Sequence, residues 1–351
     1  MKDLKYLIAY AAPLASFAGL YFGGWASFGV VYLAFGIIPL LELVMPFSTE
    51  NPHTEIEDER SALGYFDWLL YLHVPILYAI TFWGVYNFTF GSLSTLEIIG
   101  TTFNLGIMMG GFGINVAHEL GHRTSKFEQF LSKALLLPSL YLHFFIEHNR
   151  GHHKNVATPE DPATSRFGEN VYQFWWRSVS GGYVDAWKIE AERLAREGKS
   201  AISFDNEMLR FQIIQVIYLA LIGYFFGIVA VVFAVFAATI GFLQLETVNY
   251  IEHYGLVRNK MANGRYEPVL PKHSWNSNHE LGRIFLYELT RHSDHHYKAT
   301  RKFQILRHFE ESPQLPFGYP LSMMSSLVPP LWFKLMDNRI PETEKNELIV
   351  A

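Results

Sequence analysis

Fifteen histidines occur in this 351-residue chain. Nine of them fall into four short clusters. His118 and His122 stand four residues apart in the segment 115–123 (NVAHELGHR). His148, His152 and His153 form the second cluster and His292, His295 and His296 the fourth. His253 stands singly within 249–256 (NYIEHYGL). On a helix, residues i and i+4, or i and i+3, share a face, so two imidazoles at that spacing can reach one metal ion. A zinc or iron ion needs only three or four protein ligands. Nine candidates therefore suit two metals with four or five imidazoles each. Imidazole serves iron, copper, zinc and nickel alike, so the ligand type alone does not choose the metal. An isolated histidine is usually a core or surface residue. His53, His73, His143, His273, His279 and His308 have no such spacing and are expected to be structural.

The clusters need elements that gather them. No Lys or Arg occurs from Tyr6 to Met45 or from Phe211 to Leu256, and stretches of that length free of basic residues point to the bilayer. Half the chain is hydrophobic and the net charge is −5, which excludes the basic footprint of a nucleic-acid binder. With no cysteine present, disulfides, thiolate catalysis, iron–sulfur clusters and zinc ribbons are excluded. Hydropathy predicts six spans, at about 6–21, 28–45, 65–86, 96–116, 211–226 and 228–245. Turns are expected at Gly23 and Gly24 and between Gly223 and Gly227. The last two spans sit at the lower length limit for crossing. The three short connections at these turns and at 87–95 carry no Lys or Arg, whereas the long segments 117–210 and 250–351 are basic-rich. By the positive-inside rule both termini and both long segments are cytoplasmic, in agreement with an even number of crossings. Phe127–Ile146 and Pro320–Met336 are read as interfacial or re-entrant. The expected fold class is an all-α integral membrane protein: a single domain over 1–351, with six transmembrane helices and a cytoplasmic-face helical cap that carries a di-metal site.

Every histidine cluster then falls at one membrane face. Ionisable residues at such a boundary mark a functional site by default. Glu119, Glu147, Glu252 and Asp294, with Asn115 and Asn249, are candidates to accept the outer imidazole N–H and fix ring orientation. The HExxH pattern at His118 also matches a zinc protease with Glu119 as general base, but that reading leaves most of the clustered histidines unused. A ferritin-like site needs paired Glu-x-x-His motifs, and only one copy is present. A metal transporter would place ligands near mid-membrane rather than at one face.

The histidine boxes resemble those of the membrane fatty-acid desaturase and hydroxylase superfamily. Within it the chain is most similar to the bacterial membrane alkane 1-monooxygenase (alkane omega-hydroxylase) family, through 115–123, 147–162 (EHNRGHHKNVATPEDP), 249–256 and 291–296 (RHSDHH). The NYIEHYGL box separates that family from desaturases. The segments 273–276 and 311–315 also look familial, and Thr290 replaces the family's usual Gln. The resemblance implies two non-haem irons held by the nine histidines, with O2 as co-substrate. It implies a separate rubredoxin, fed by an NAD(P)H-dependent reductase, at the cytoplasmic face of the bacterial inner membrane. The implied reaction is hydrogen-atom abstraction from the terminal methyl of a medium-chain alkane and return of hydroxyl. A fatty-acid desaturase and an aromatic-methyl hydroxylase are the sister alternatives.

An alkane offers no polar handle, so it must be held by shape in an apolar tunnel loaded from the lipid. Ala34, Gly36, Gly106, Gly110 and Gly111 are expected mainly to let helices pack closely, with tunnel space as their second use. Arg123, Lys126, Lys154, Arg301 and Lys302 are candidates to steer an acidic rubredoxin.

Overall fold

The computed structural model describes residues 2–340, so the end of the expected cytoplasmic segment 250–351 lies outside the described residues. Among these there is no β-strand, only three isolated bridges. A 3-10 segment, Lys2–Tyr10, leads into α1 (Ala11–Phe22). α2 is Gly24–Glu42 and α3 is Gly64–Phe90. α4 runs over 95–121 and α5 is Lys126–Leu136, while a short helix, α6, spans 144–155. α7 (Val171–Arg196), α8 (Glu207–Phe226) and α9 (Ile228–His253) follow. Four short helices follow: α10 (Glu280–Phe285), α11 (His292–Tyr297), α12 (Tyr319–Ser326) and α13 (Pro329–Met336).

Helices α2, α3, α8 and α9 are long and apolar enough to cross a membrane. The other two expected spans are helical as well. Residues 6–21 lie in the 3-10 segment and α1, and 96–116 lie in α4. Local chemistry sets the ends. Ser94 caps α4 and is answered by Glu97 in a capping box, Asn170 and Gln173 do the same for α7, and the Asn206 side chain caps α8; each cap satisfies orphan N–H groups of a first turn. The α8–α9 hairpin turns on Gly227 at φ +86°, a conformation that glycine adopts without steric cost. Phe127–Ile146 does not form one helix. α5 ends at Leu136, and Leu140 takes φ +54° in the turn before α6. At about 1.5 Å per residue α5 is far too short to cross about 30 Å of hydrocarbon.

The core pair is α4 against α9. A Cβ at Gly106 would lie 2.5 Å from Ile240 and 2.9 Å from the Ala237 carbonyl, and one at Gly241 would lie 2.9 Å from the Met109 Cβ. Small residues thus bring the two backbones together, the usual basis of helix association in lipid. The segment around α10 is tied to the N-terminal helices by buried polar bonds. Glu42, at the end of α2, accepts the Gly282 N–H at 2.9 Å. Glu288 accepts from Tyr6 at 2.6 Å and pairs with Arg283 at 2.6 Å.

Candidate metal centre

Four elements deliver the nine clustered imidazoles: the end of α4 (His118, His122), α6 (His148, His152, His153), the last residue of α9 (His253) and α11 (His292, His295, His296). They assemble into two groups. One holds His118, His122, His148, His153 and His295, the other His152, His253, His292 and His296. Two π-helical stretches flank or carry the histidines, and the second explains the sorting on α6. One, Met108–Ile114, lies a turn before His118 and the other covers His148–His152. Such wide turns inside α-helices recur at functional sites. Along a π-turn the aligned partner is i+5, so His148 and His153 fall together and His152 turns to the other group. On α11 ordinary α spacing joins His292 to His296, while His295 faces the first group.

The donor atoms fit a cation. His148 Nε2 is 3.2 Å from His122 Nε2 and 3.0 Å from His153 Nε2. His295 Nε2 is 2.8 Å from that of His118 and 3.0 Å from that of His153. In the second group His292 Nε2 is 3.2 Å from that of His253 and 2.8 Å from that of His296, which is 3.2 Å from that of His152. A neutral imidazole nitrogen has either one N–H or one lone pair and cannot serve two such neighbours as hydrogen bonds. Lone pairs converging on a metal at about 2.1 Å, a quarter-turn apart, would leave the nitrogens about 3.0 Å from each other. Burial, reinforced by the neighbouring imidazoles, holds His148, His153, His292, His295 and His296 well below their ordinary 6.5, so they are neutral at pH 7, the ligating form.

The polar neighbours differ from the sequence expectation. Glu119 accepts from Arg123 at 2.7 Å and from the Phe303 N–H at 3.1 Å. Asp294 accepts from Arg301 at 2.5 Å and from the Arg307 N–H at 2.8 Å. Both therefore brace the backbone and basic side chains rather than an imidazole. Glu147 leaves Oε1 unpartnered, Asn115 leaves Nδ2 unpartnered, and Asn249 donates to Glu246 at 3.4 Å. Glu252 accepts from Tyr319 at 2.7 Å and brings Oε2 to 3.3 Å from His292 Nε2, on the side where the donors converge and not at the outer nitrogen. The carboxylate that does take an outer nitrogen is Asp161, 2.8 Å from His152 Nδ1. In the sequence it lies nine residues after His152, inside the 147–162 segment that carries the family resemblance.

The six lone histidines stay outside both groups. His73 stacks on Phe112 and bonds the Tyr287 hydroxyl at 2.8 Å. Of the basic residues singled out for a redox partner, Arg123 is buried and paired with Glu119 and Asp67. Arg301 pairs with Asp294 and Lys302 with Asp67, while Lys126 and Lys154 are exposed.

A cavity of about 110 Å³ ends at the donors. His118, His148, His292 and Glu252 line one end; Ala12, Val30, Ala34 and Ile107, from α1, α2 and α4, line the rest. Gly110 and Gly111 line it too, whereas Gly106 serves packing and nothing lies within 4 Å of a Cβ at Gly36.

Apolar helices around an all-nitrogen donor set define a membrane protein with a non-haem metal site. The fatty acid desaturase family model matches residues 95–325. The alkane 1-monooxygenase of Pseudomonas putida is 42% identical over 327 residues, 93% of this chain and 81% of that protein. That of Ectopseudomonas oleovorans is 40% identical over 352 residues, 99% of this chain and 88% of that protein. A more distant relative, the xylene/toluene monooxygenase hydroxylase component of Pseudomonas putida, is 28% identical over 367 residues, 100% of this chain and 94% of that protein. The chain belongs to the alkane 1-monooxygenase family, within the fatty acid desaturase superfamily.

Proposed function

We propose that this protein hydroxylates the terminal carbon of medium-chain linear alkanes, using O2 and electrons from rubredoxin. The observation that carries the reading is a largely apolar cavity ending at two groups of buried and half-buried imidazoles. The names of the relatives, alkane 1-monooxygenases at about 40% identity, support it. The cavity gives an alkane what it can use, namely apolar contact and a shape that admits its end first. Ile107 lies eleven residues before His118 on α4, so the cavity reaches about 15 Å from the donors, a depth suited to medium chains.

In this reading the protein is a single domain over 1–351. His118, His122, His148, His153 and His295 hold one iron and His152, His253, His292 and His296 the other. Bound there, the iron pair supplies the O2 activation needed to break a terminal C–H bond. The chain's own contribution is positional. The imidazoles present neutral nitrogens, Asp161 fixes the His152 ring, and the lining of α1, α2 and α4 admits one methyl end while excluding water. The overall change is RH + O2 + 2e⁻ + 2H⁺ → ROH + H2O. In this reading the chain crosses the inner membrane six times, with both termini and the segment that carries α10 to α13 on the cytoplasmic side, where rubredoxin, reduced by an NAD(P)H-dependent reductase, docks. The basic placement noted above supports that topology, and exposed Lys126 and Lys154 offer the charge an acidic partner needs.

The test is product analysis with metal quantification on the protein in nanodiscs, supplied with octane, O2, NADH, rubredoxin and its reductase. Octan-1-ol with about two irons per chain is expected, from the ligand count per metal. An alkene product, or turnover of p-xylene but not octane, overturns the reading.

A further inference from the structure

Two tyrosines lead away from the metal centre on the side opposite the alkane cavity's lining of α2 and α9. Tyr287, buried just after α10, shares the lining of a cavity of about 10 Å³ with His118 and His295. That space has room for about one water molecule, so little separates the ring from the donors. The Tyr287 hydroxyl lies 2.8 Å from His73 Nε2. His73 Nδ1 lies 3.1 Å from the Phe112 carbonyl, which can only accept. Nδ1 therefore carries the proton, and Nε2 offers its lone pair to the Tyr287 O–H. A phenol held in this way gives up an electron more readily, because its proton has a base waiting for it.

The aromatic contact continues outward. Tyr6 stacks on Tyr287, with ring centroids 6.3 Å apart and planes at 21°. It has an acceptor of its own: its hydroxyl donates to Glu288 at 2.6 Å. Tyr6 and Glu288 line a second, polar cavity of about 420 Å³. Glu50 and Asn51, also in that lining, are exposed, so solvent reaches it. Tyr287 and Glu288 take φ +49° and +60°, a left-handed conformation that residues with side chains seldom adopt and that gathers at functional sites. The two strained residues are the ones that set the phenol against His73 and the carboxylate against Tyr6. Tyr319 also lies beside the donors, but it donates to Glu252, whose other oxygen is 3.3 Å from His292 Nε2. Its proton would stay at the centre.

We propose that Tyr287 and Tyr6 form a relay that draws off an oxidising equivalent from the metal centre when O2 has reacted and no alkane is bound. Tyr287 gives one electron to the oxidised iron pair, its O–H bond breaks, and the proton passes to His73 Nε2. Tyr6 then gives one electron to Tyr287 and its own proton to Glu288, while Tyr287 takes its proton back from His73. A one-electron reductant of the solvent, such as ascorbate, restores the electron to Tyr6, and Glu288 returns the proton. Each pass moves one electron from that reductant to the centre. Met108 and Met323, which line the alkane cavity, are thereby spared oxidation to the sulfoxide. The inference rests on the proposed iron pair and its reaction with O2, but not on hydroxylation.

The test mixes reduced, iron-loaded protein in nanodiscs with O2, without alkane, and freeze-quenches it for EPR. A tyrosyl signal that changes with ring-deuterated tyrosine is expected. It is lost in Tyr287→Phe, and under ascorbate it decays more slowly in Tyr6→Phe, each compared at native iron content. After repeated exposure to O2, peptide mass spectrometry should find more sulfoxide at Met108 and Met323 in Tyr287→Phe than in native protein. A signal that survives in Tyr287→Phe, or a decay unchanged in Tyr6→Phe, overturns the relay. A nitroso spin trap in native protein locates the radical even if a variant fails to fold. An adduct on Tyr6 or Tyr287 supports the relay, and an adduct confined to other residues overturns it. Octan-1-ol formation with no radical under any of these conditions overturns the relay and leaves the hydroxylase reading. A radical with no octan-1-ol removes the hydroxylase reading and leaves the relay.

Discussion

His148 and His153, five residues apart on α6, bring their Nε2 atoms to 3.0 Å, while His152 between them turns away to meet His296 at 3.2 Å. The π-turn at His148–His152 therefore sends neighbouring histidines to different groups. His153→Ala and His253→Ala each should remove one iron of about two per chain, from different groups, and lower activity by more than the roughly 10- to 100-fold typical of losing an outer partner. Iron analysis with Mössbauer spectra of each variant checks this. Loss of the same spectral component in both would show that the two groups are not separate sites.

Asp161 is fully buried 2.8 Å from His152 Nδ1 and also accepts from Thr164. Asp161→Asn keeps the shape and removes the charge that orients the ring. Iron affinity of the four-imidazole group should fall by about 10- to 100-fold, while the five-imidazole group keeps its iron. Chelator titration followed by metal analysis separates the two.

The buried imidazoles set a pH window. Their folded pKa values lie well below the ordinary 6.5. The unfolded chain therefore binds more protons than the folded one at every pH between those values, and stability rises with pH there. Above 6.5 neither state is protonated at these groups and no loss occurs. As pH falls below 6.5, stability and iron retention should decline together, since protons compete for the same nitrogens. Iron content and unfolding midpoint, recorded from pH 8 to pH 5, would contradict this if both stayed level.

The α4–α9 contact makes a paired prediction. Gly106→Ala drives a Cβ to 2.5 Å from Ile240 and 2.9 Å from the Ala237 carbonyl, whereas Gly36→Ala meets nothing within 4 Å. Gly106→Ala should cost about 1–3 kcal/mol, the usual price of overpacking, and Gly36→Ala should be near neutral. Thermal unfolding in detergent gives the comparison directly.

The histidine clusters were legible because ligand spacing on a helix is a local property. The i, i+4 pairs at His118 and His292 and the run at His148 read directly from the chain. So did the apolar stretches, for which composition alone decides the preference for lipid. The supporting polar groups were less legible. Glu119 and Asp294 stand beside ligands in sequence yet turn to Arg123 and Arg301. A side chain's partner depends on which element packs over it.

By itself, then, the sequence determined which residues gather, that helices carry them, and which family the boxes belong to. Tertiary structure alone decided how the nine imidazoles divide, because His118 meets His295 across 177 residues and because a π-turn re-registers His152 against the 3.6-residue period. It also decided that Asp161 holds His152. Those relationships arise only when α4, α6, α9 and α11 converge, and no spacing along one helix encodes the distance to another.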